Sequence, residues 1–242
     1  MTGCAGRIGR AVCAELLARG HRVRGFDRVR MAGLTDQLEG NLASAGEVER
    51  AVAGVDTVVH LAATPDEDDF LTRLLPDNVI GLYHVLEQAR RARVGRVILA
   101  STGQVMRGHA GALPITLQTP PAPRNWYSST KLFAEAAGQS YAHLYGMSVI
   151  VVRCGWCPRT RRDVEALEAS EYGKNSYLSP GDAGRCFAGA VEASQNLKFA
   201  IVFATSRPVD RPRYDLGPTR ELLGFEPRDR WPEGLDPGGM PE

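Results

Sequence analysis

The sequence predicts an α/β fold, a doubly wound parallel sheet with a small lobe at its C-terminal end. Three observations predict it. Short β-branched runs alternate with longer segments of helical periodicity, the order that produces parallel strands covered by helices on both faces. A glycine-rich loop, Thr2-Gly3-Cys4-Ala5-Gly6-Arg7-Ile8-Gly9, leads straight into an amphipathic segment. The 242 residues are 43% hydrophobic and 24% charged, enough apolar surface for one large core without metal or disulfide staples.

Residues 22–26, 57–61, 96–100, 148–153 and 199–203 read as strands, each bounded by polar or turn-forming residues. Between them, 8–17 sets Ile8, Val12 and Leu16 four apart, and 79–89 puts Val79, Tyr83 and Leu86 on one side; both are helical spacings. Ser179-Pro180-Gly181-Asp182 reads as a helix start, with serine capping and proline in the first turn. The stretches 107–125 and 159–178 are longer than ordinary connections and are expected to wall a substrate site. The Gly/Pro-rich end, 232–241, is expected to fray.

A net charge of +1 gives no field of the kind that draws in a phosphate backbone, so nucleic acid is not an expected partner. No apolar run reaches bilayer length, and no basic-then-apolar leader is present, which predicts a cytoplasmic protein with no membrane partner. Five cysteines at irregular spacing argue for reduced thiols and against a disulfide framework. No spacing suggests a metal site.

The loop spaces Gly3, Gly6 and Gly9 three apart. With no Cβ atoms in the way, backbone N–H groups and the positive end of the following helix can approach a pyrophosphate. About 20 residues on, Asp27 ends the next strand run, where a carboxylate accepts hydrogen bonds from both hydroxyls of an adenosine ribose. Together they predict a dinucleotide site. The carboxylate would repel a 2′-phosphate and favours NAD over NADP, with Arg28 beside it softening that preference. A loop of this kind ordinarily follows a buried strand, yet only Met1 and Thr2 precede Gly3. Either translation begins upstream or the sheet has an unusual edge, and of the two a truncated first strand is the expectation.

Tyr127 and Lys131 stand four apart at the start of a helical segment, so both project from one face. A phenol near pKa 10 is a poor base at neutral pH, but a lysine cation favours the phenolate and a hydroxyl donor stabilises it further. Thr102, after the 96–100 run, supplies that hydroxyl, with Ser101 as the alternative.

With these residues in place the chain resembles the extended short-chain dehydrogenase/reductase family, in its NAD-dependent epimerase/dehydratase group. The likeness spans nearly the whole chain. It rests on the glycine loop, Asp27, Gly40-Asn41-Leu42, His60-Leu61-Ala62-Ala63, Asn78-Val79-Ile80-Gly81, Ser101-Thr102, Tyr127 to Lys131 and Leu223-Gly224-Phe225-Glu226-Pro227. It implies a Rossmann core over 1–155 and a substrate lobe over 156–242 interleaved with the last strands. NAD would lie on Gly3, Gly6, Arg7, Ile8, Gly9 and Asp27, with Asn41 and Leu42 beside the adenine and Leu61, Ala62 and Ala63 lining the cofactor. By the same resemblance Tyr127 would exchange a proton with substrate, Lys131 would hold the nicotinamide ribose, Thr102 would orient the substrate oxygen and Asn78 would support the lysine end of the network.

Dehydratases of this group place an Asp-Glu pair after the active-site threonine, where this chain has Gly103-Gln104. The compact second half is more similar to uronate dehydrogenases, which oxidise a sugar acid at its anomeric carbon. Where those enzymes touch substrate this chain has Pro65, Gly103 and Trp156, and the loop bearing their carboxylate-binding arginine is longer, leaving Arg159, Arg161 and Arg162 as candidates. The expected activity is NAD-dependent hydride transfer on a small sugar, sugar acid or polyol; a sugar or sugar-nucleotide epimerase and a non-catalytic NAD-binding protein are the alternatives. An acidic or phosphorylated substrate would suit the arginines, and Trp156 would suit stacking on a sugar ring. The Cys154-Gly155-Trp156-Cys157 spacing invites a redox reading, set aside because the resemblance puts this segment at the nicotinamide. Asp66-Glu67-Asp68-Asp69 reads as a solvated acidic helix start. The helical segment 132–145, with Phe133, Ala136, Ala137, Ser140 and Leu144, has enough small and apolar surface to form the homodimer seen in many relatives.

Overall fold

The computed structural model describes residues 1–109, 113–235 and 240. Its centre is a parallel sheet of β1 (Gly25–Asp27), β2 (Gln37–Glu39), β3 (Thr57–His60), β4 (Arg96–Thr102), β5 (Ser148–Cys154) and β6 (Phe199–Ala204). β1 pairs with β2, and β3 to β6 pair in chain order. Thr2 joins the two groups, bridging in parallel to Phe26 on one side and to His60 on the other.

Residues 1–3 thus stand where the truncated central strand is expected, and they engage both neighbours. The Thr2 amide donates to Val59 O (2.9 Å), the Gly3 amide to Phe26 O (2.9 Å) and the Phe26 amide to Met1 O (2.8 Å). The Thr2 hydroxyl is hydrogen-bonded to His60 Nδ1 at 2.8 Å and accepts from the Ala62 amide at 3.3 Å, fixing the loop to the end of β3. The Met1 amine donates to Arg24 O, and burial pushes its pKa down. The strand predicted over 22–26 is observed only from Gly25, and it runs to Asp27.

The long central strands are apolar on both faces, as a parallel sheet covered by helices requires. In β5, Ile150 and Val152 enter one core with α1 (Arg7–Ala18) and α7 (Pro180–Glu192), while Val149 and Val151 enter the other with α2 (Ala45–Val52), α3 (Gly81–Arg91) and α4 (Trp126–Tyr145). Ser179 caps α7 as predicted, accepting from the Asp182 amide at 2.9 Å with Pro180 in the first turn. α4 starts at a capping box between Asn125 and Ser128 and ends at Gly146, whose φ is +67°.

Several elements were not legible in the sequence. β2 is a short polar edge strand with no β-branched residue. The segment predicted as one helix over 79–89 begins earlier, as a wide helical stretch from Phe70 to Ile80 that runs into α3. Pro76 has no N–H, and the Leu74 and Gly81 amides reach back five residues, to Asp69 O and Pro76 O. The irregular stretch expected over 159–178 contains α5 (Arg161–Glu168) and α6 (Glu171–Ser176), and α8 (Gly217–Leu223) follows β6. Of the end expected to fray, 236–239 and 241 lie outside the described residues. The described part is held: Trp231 and Met240 are buried, the Tyr177 ring meets Trp231 edge-on at 5.1 Å, and the Tyr177 hydroxyl donates to Glu233 O at 2.8 Å.

Candidate active site

A cleft of about 540 Å³ runs along the C-terminal ends of the strands. At one end lies the glycine loop. Gly3 has φ +72°, and a Cβ there would stand 2.6 Å from the Ala62 nitrogen; one on Gly9 would stand 1.9 Å from Gly3 O. The loop is therefore a cradle whose tightness only glycine permits. α1 begins at Gly6 with no side-chain cap and no acidic residue in its first turn, which leaves its leading N–H groups open to an anion. Arg7 stands in the same first turn and lines the cleft, and its buried Nε has no hydrogen-bond partner among the described residues. Uncapped amides, a helix dipole and an under-satisfied guanidinium suit a pyrophosphate.

Asp27 closes β1 beside that loop. Its Oδ2 accepts from the Ala5 amide at 3.0 Å and its Oδ1 from the Arg28 amide at 2.7 Å, so the carboxylate is held at the cleft wall. Arg28 crosses to Asp77 on the Phe70–Ile80 stretch and reaches Asn41 Oδ1 at 3.4 Å. These residues fit the dinucleotide expected from the sequence.

At the far end β4 delivers Ser101 and Thr102 while α4 delivers Tyr127 and Lys131. The strand runs two residues past its predicted end, so both hydroxyl residues belong to it. The Lys131 ammonium donates to Ala100 O at 3.1 Å and lies 5.7 Å from the centre of the Tyr127 ring. Burial pushes Lys131 down to about 8. Burial, with Cys154 and Asp66 nearby, pushes Tyr127 above its ordinary value, against the lowering effect of Arg159 and a Thr102 hydrogen bond. The lysine does not bring the phenol down as the spacing suggested: desolvation of the phenol outweighs it, and in this state Tyr127 holds its proton. Ser101 is otherwise occupied. Its hydroxyl donates at 2.6 Å to Glu135, which also forms a buried ion pair with Arg153 at 2.7 Å.

Seventeen of the expected residues line the one cleft: Gly3, Gly6, Arg7, Ile8, Gly9, Asp27, Leu42, Leu61, Ala62, Ala63, Ser101, Thr102, Gly103, Tyr127, Lys131, Trp156 and Arg159. Asn41, Asn78 and Arg162 are not among its walls. Asn41 is exposed and its Oδ1 accepts from the Ala43 amide. Asn78 is buried behind α4, where its amide donates to Thr64 O and the Thr130 hydroxyl, both at 3.1 Å, so it braces the residue beside Lys131 and not the lysine itself. Arg162 is exposed on α5.

Sequence reasoning missed several residues at the Tyr127 end of the cleft. Asp66 and Glu67 are exposed at a helix entry, as expected, but they also make contacts the sequence did not show: Asp66 lines the cleft, and Glu67 accepts from the Tyr127 amide at 2.8 Å and the Trp126 amide at 3.3 Å. Asp69 behaves as expected, capping the following helical stretch through the Thr72 amide. Gln104, Arg107, Tyr172 and Tyr214 also line this end. The signal that marked Gly103 has its explanation here, because a Cβ on it would stand 2.5 Å from the Tyr214 hydroxyl. Trp156 both lines the cleft and packs on the Leu167, Tyr177 and Trp231 cluster.

A parallel α/β sheet whose strand ends gather a dinucleotide cradle and a Tyr-x-x-x-Lys pair defines a nicotinamide-dependent enzyme of the short-chain dehydrogenase/reductase type. Residues 1–156 match the NAD dependent epimerase/dehydratase family, and the chain belongs to it. The chain is 32% identical to an L-arabinose 1-dehydrogenase (NAD(P)(+)) of Haloferax volcanii, over 95% of each protein. A uronate dehydrogenase of Pseudomonas syringae pv. tomato is 31% identical over 64% of this chain and 58% of its own length. Among solved structures, a uronate dehydrogenase variant from Agrobacterium tumefaciens complexed with NAD superposes with a TM-score of 0.76 at 26% identity, covering 94% of this chain and 83% of that one. The family, the Rossmann fold and the NAD cofactor expected from the motifs are those found.

Proposed function

We propose that the protein is an NAD-dependent dehydrogenase acting on a small sugar or sugar acid, with Tyr127 exchanging the substrate proton. The observation that carries this reading is convergence: Tyr127, Lys131 and Thr102 open into the same cleft as the glycine cradle and Asp27. The arabinose and uronate dehydrogenases among its relatives support the substrate class. NAD would lie with its pyrophosphate at Gly3, Gly6, Arg7, Ile8 and Gly9 and its adenosine ribose at Asp27, beside Leu42. Leu61, Ala62 and Ala63 would line it towards the substrate end. NAD supplies the hydride acceptor or donor at its nicotinamide ring.

The chain's own groups do the rest. Thr102 orients the substrate oxygen towards the Tyr127 phenol, which gives up its proton in reduction and recovers it in oxidation. Lys131, anchored on Ala100 O and half-titrated near pH 8, holds positive charge beside the phenol as it becomes phenolate. Tyr127→Phe should abolish growth of the reduced-cofactor absorbance while leaving NAD binding by calorimetry intact; retained turnover would remove the role.

Two assembly properties accompany this reading. Phe133, Leu144, Tyr145 and Tyr83 are exposed on the neighbouring helices α4 and α3, which supports a homodimer through that face. No described helix is long and apolar enough to cross a membrane, and the five cysteines are free, in keeping with a cytoplasmic enzyme; fractionation of cells expressing the chain tests that placement.

A further inference from the structure

Resting on that functional reading, we propose that Asp66 is a built-in carboxylate that occupies Arg159, so that the cleft selects an uncharged aldose and turns away the matching uronic acid. Arg159 is the one cleft-lining member of the three arginines expected to receive an anion. Its guanidinium is already engaged: Nη1 donates to Pro65 O at 3.1 Å, and Nη2 lies 3.7 Å from Asp66 Oδ2. The opposing charge that a substrate carboxylate would bring is supplied from within the chain.

Asp66 is held for this position. It adopts a left-handed backbone, φ +79°, that few residues other than glycine, asparagine and aspartate take readily. Its Oδ1 receives Gln104 Nε2 at 3.1 Å and the Glu67 amide at 3.0 Å. Gln104 is in turn fixed by Asn125 Nδ2, from the cap of the helix that carries Tyr127, at 3.2 Å. The side chain remains half exposed to the cleft. A carboxylate so placed accepts hydrogen bonds from sugar hydroxyls and repels a second carboxylate.

The opposite wall agrees. The space that a side chain at position 103 would fill holds the Tyr214 hydroxyl, which donates to Gly103 O at 3.2 Å and lies 3.2 Å from the Tyr172 hydroxyl. Two tyrosine hydroxyls stand there, backed by the Arg213 guanidinium 4.6 Å from the Tyr172 ring, and they can exchange hydrogen bonds with sugar hydroxyls. Arg107 also lines the cleft and, like Arg159, is exposed to solvent, so a carboxylate held by it alone would be held weakly.

The test compares D-galactose with D-galacturonate, which differ only at C6, by initial rates of NADH formation. It adds calorimetric titration of galacturonate into the NADH-saturated protein. Wild type should favour galactose by about ten-fold or more in kcat/KM. Asp66→Asn keeps the backbone conformation and removes the charge. It should shift the ratio about ten-fold towards galacturonate, chiefly through KM, and make galacturonate binding measurable. Adding Arg159→Met to Asp66→Asn should erase that gain. Preference of the wild type for galacturonate, as an Arg107-based anion site would give, overturns this proposal alone, and so does an unchanged ratio in Asp66→Asn. Failure to oxidise any sugar by a chain that binds NAD overturns the functional reading and this proposal together.

Discussion

Behind the site, Glu135 and Arg153 form an ion pair whose side chains are only 6% and 4% exposed. Two hydrogen bonds of 2.9 and 2.7 Å join them, and Ser101 adds a third to the carboxylate. Glu135 lies one turn beyond Lys131 on α4, Ser101 sits on β4 beside Thr102, and Arg153 sits on β5 just before Cys154. The pair therefore sets the register of the helix carrying Tyr127 against the strand carrying Thr102. Glu135→Gln leaves a buried guanidinium without its counter-charge, which should destabilise by about 3–5 kcal/mol, a large share of the roughly 5–15 kcal/mol that holds a native chain together. At about 2–4 °C per kcal/mol for a protein of this size, the Tm should fall by roughly 6–20 °C. Urea unfolding followed by circular dichroism measures the free energy directly. The discriminating arm is the double variant Glu135→Met/Arg153→Met, which replaces both charges with apolar groups and should return to within about 2 kcal/mol of wild type. If Glu135→Gln lost less than about 1 kcal/mol, or the double variant were worse than either single one, the reasoning from an uncompensated buried charge would be refuted.

Three further outcomes follow from other parts of the molecule. Gly9→Ala places a Cβ 1.9 Å from Gly3 O and should open the cradle; the stabilisation of about 2.7 kcal/mol expected from NAD at a hundred times its wild-type Kd should be lost, as read by thermal shift with and without NAD. His60, buried and bonded to Thr2, is pushed down from 6.5 to about 3, chiefly by burial and secondarily by Lys131. Between those values the unfolded chain binds a proton that the folded chain refuses, so stability falls as pH drops from 6.5 towards 3, by up to about 1.4 kcal/mol per unit. His60→Gln should flatten that limb of the stability curve, and an unchanged slope would show that the ring titrates normally. Phe133→Glu, on the exposed face of α4, should convert the proposed homodimer to a monomer in light scattering without changing the circular dichroism spectrum, and a wild type that is itself monomeric would refute the proposed interface.

What could be read from the sequence was local. Gly3, Gly6 and Gly9 declare themselves by spacing because a phosphate cradle is built from consecutive backbone, and Tyr127 and Lys131 because one helical turn puts them on one face. β4 and β5 were legible because strands buried on both faces are continuous runs of Val and Ile. β2 was not, because an edge strand as short as Gln37–Glu39 has no burial to enforce a pattern. The wide helical stretch was hidden because Pro76 reads as a helix breaker unless the hydrogen bonds around it are seen to lengthen. Asn78 was expected at the lysine end of the network, and only the fold shows that its side-chain partner there is Thr130. Of the candidates over 159–162, α5 leaves Arg162 exposed and outside the cleft walls, while the partner of Arg159 lies 93 positions earlier, at Asp66.

The loop after β3 is where chemistry and selectivity meet. Pro65 and Asp66 hold Arg159 from the segment after β5, while Glu67, the next residue, accepts from the Trp126 and Tyr127 amides at the start of α4. Asp66 also reaches Gln104 and, through it, the Asn125 cap of that same helix. Removing or lengthening the loop would therefore disturb Tyr127, the proposed acid/base group, together with the proposed sugar contacts, and kcat and KM should move as one. A change confined to the Asp66 carboxylate spares both the Glu67 contacts and the left-handed turn, so its effect should fall on KM. A family that keeps the Tyr and Lys spacing can diverge in substrate at such a point, because the contacts that discriminate come from loops far apart in sequence and can change while the helix start that holds the phenol stays in place.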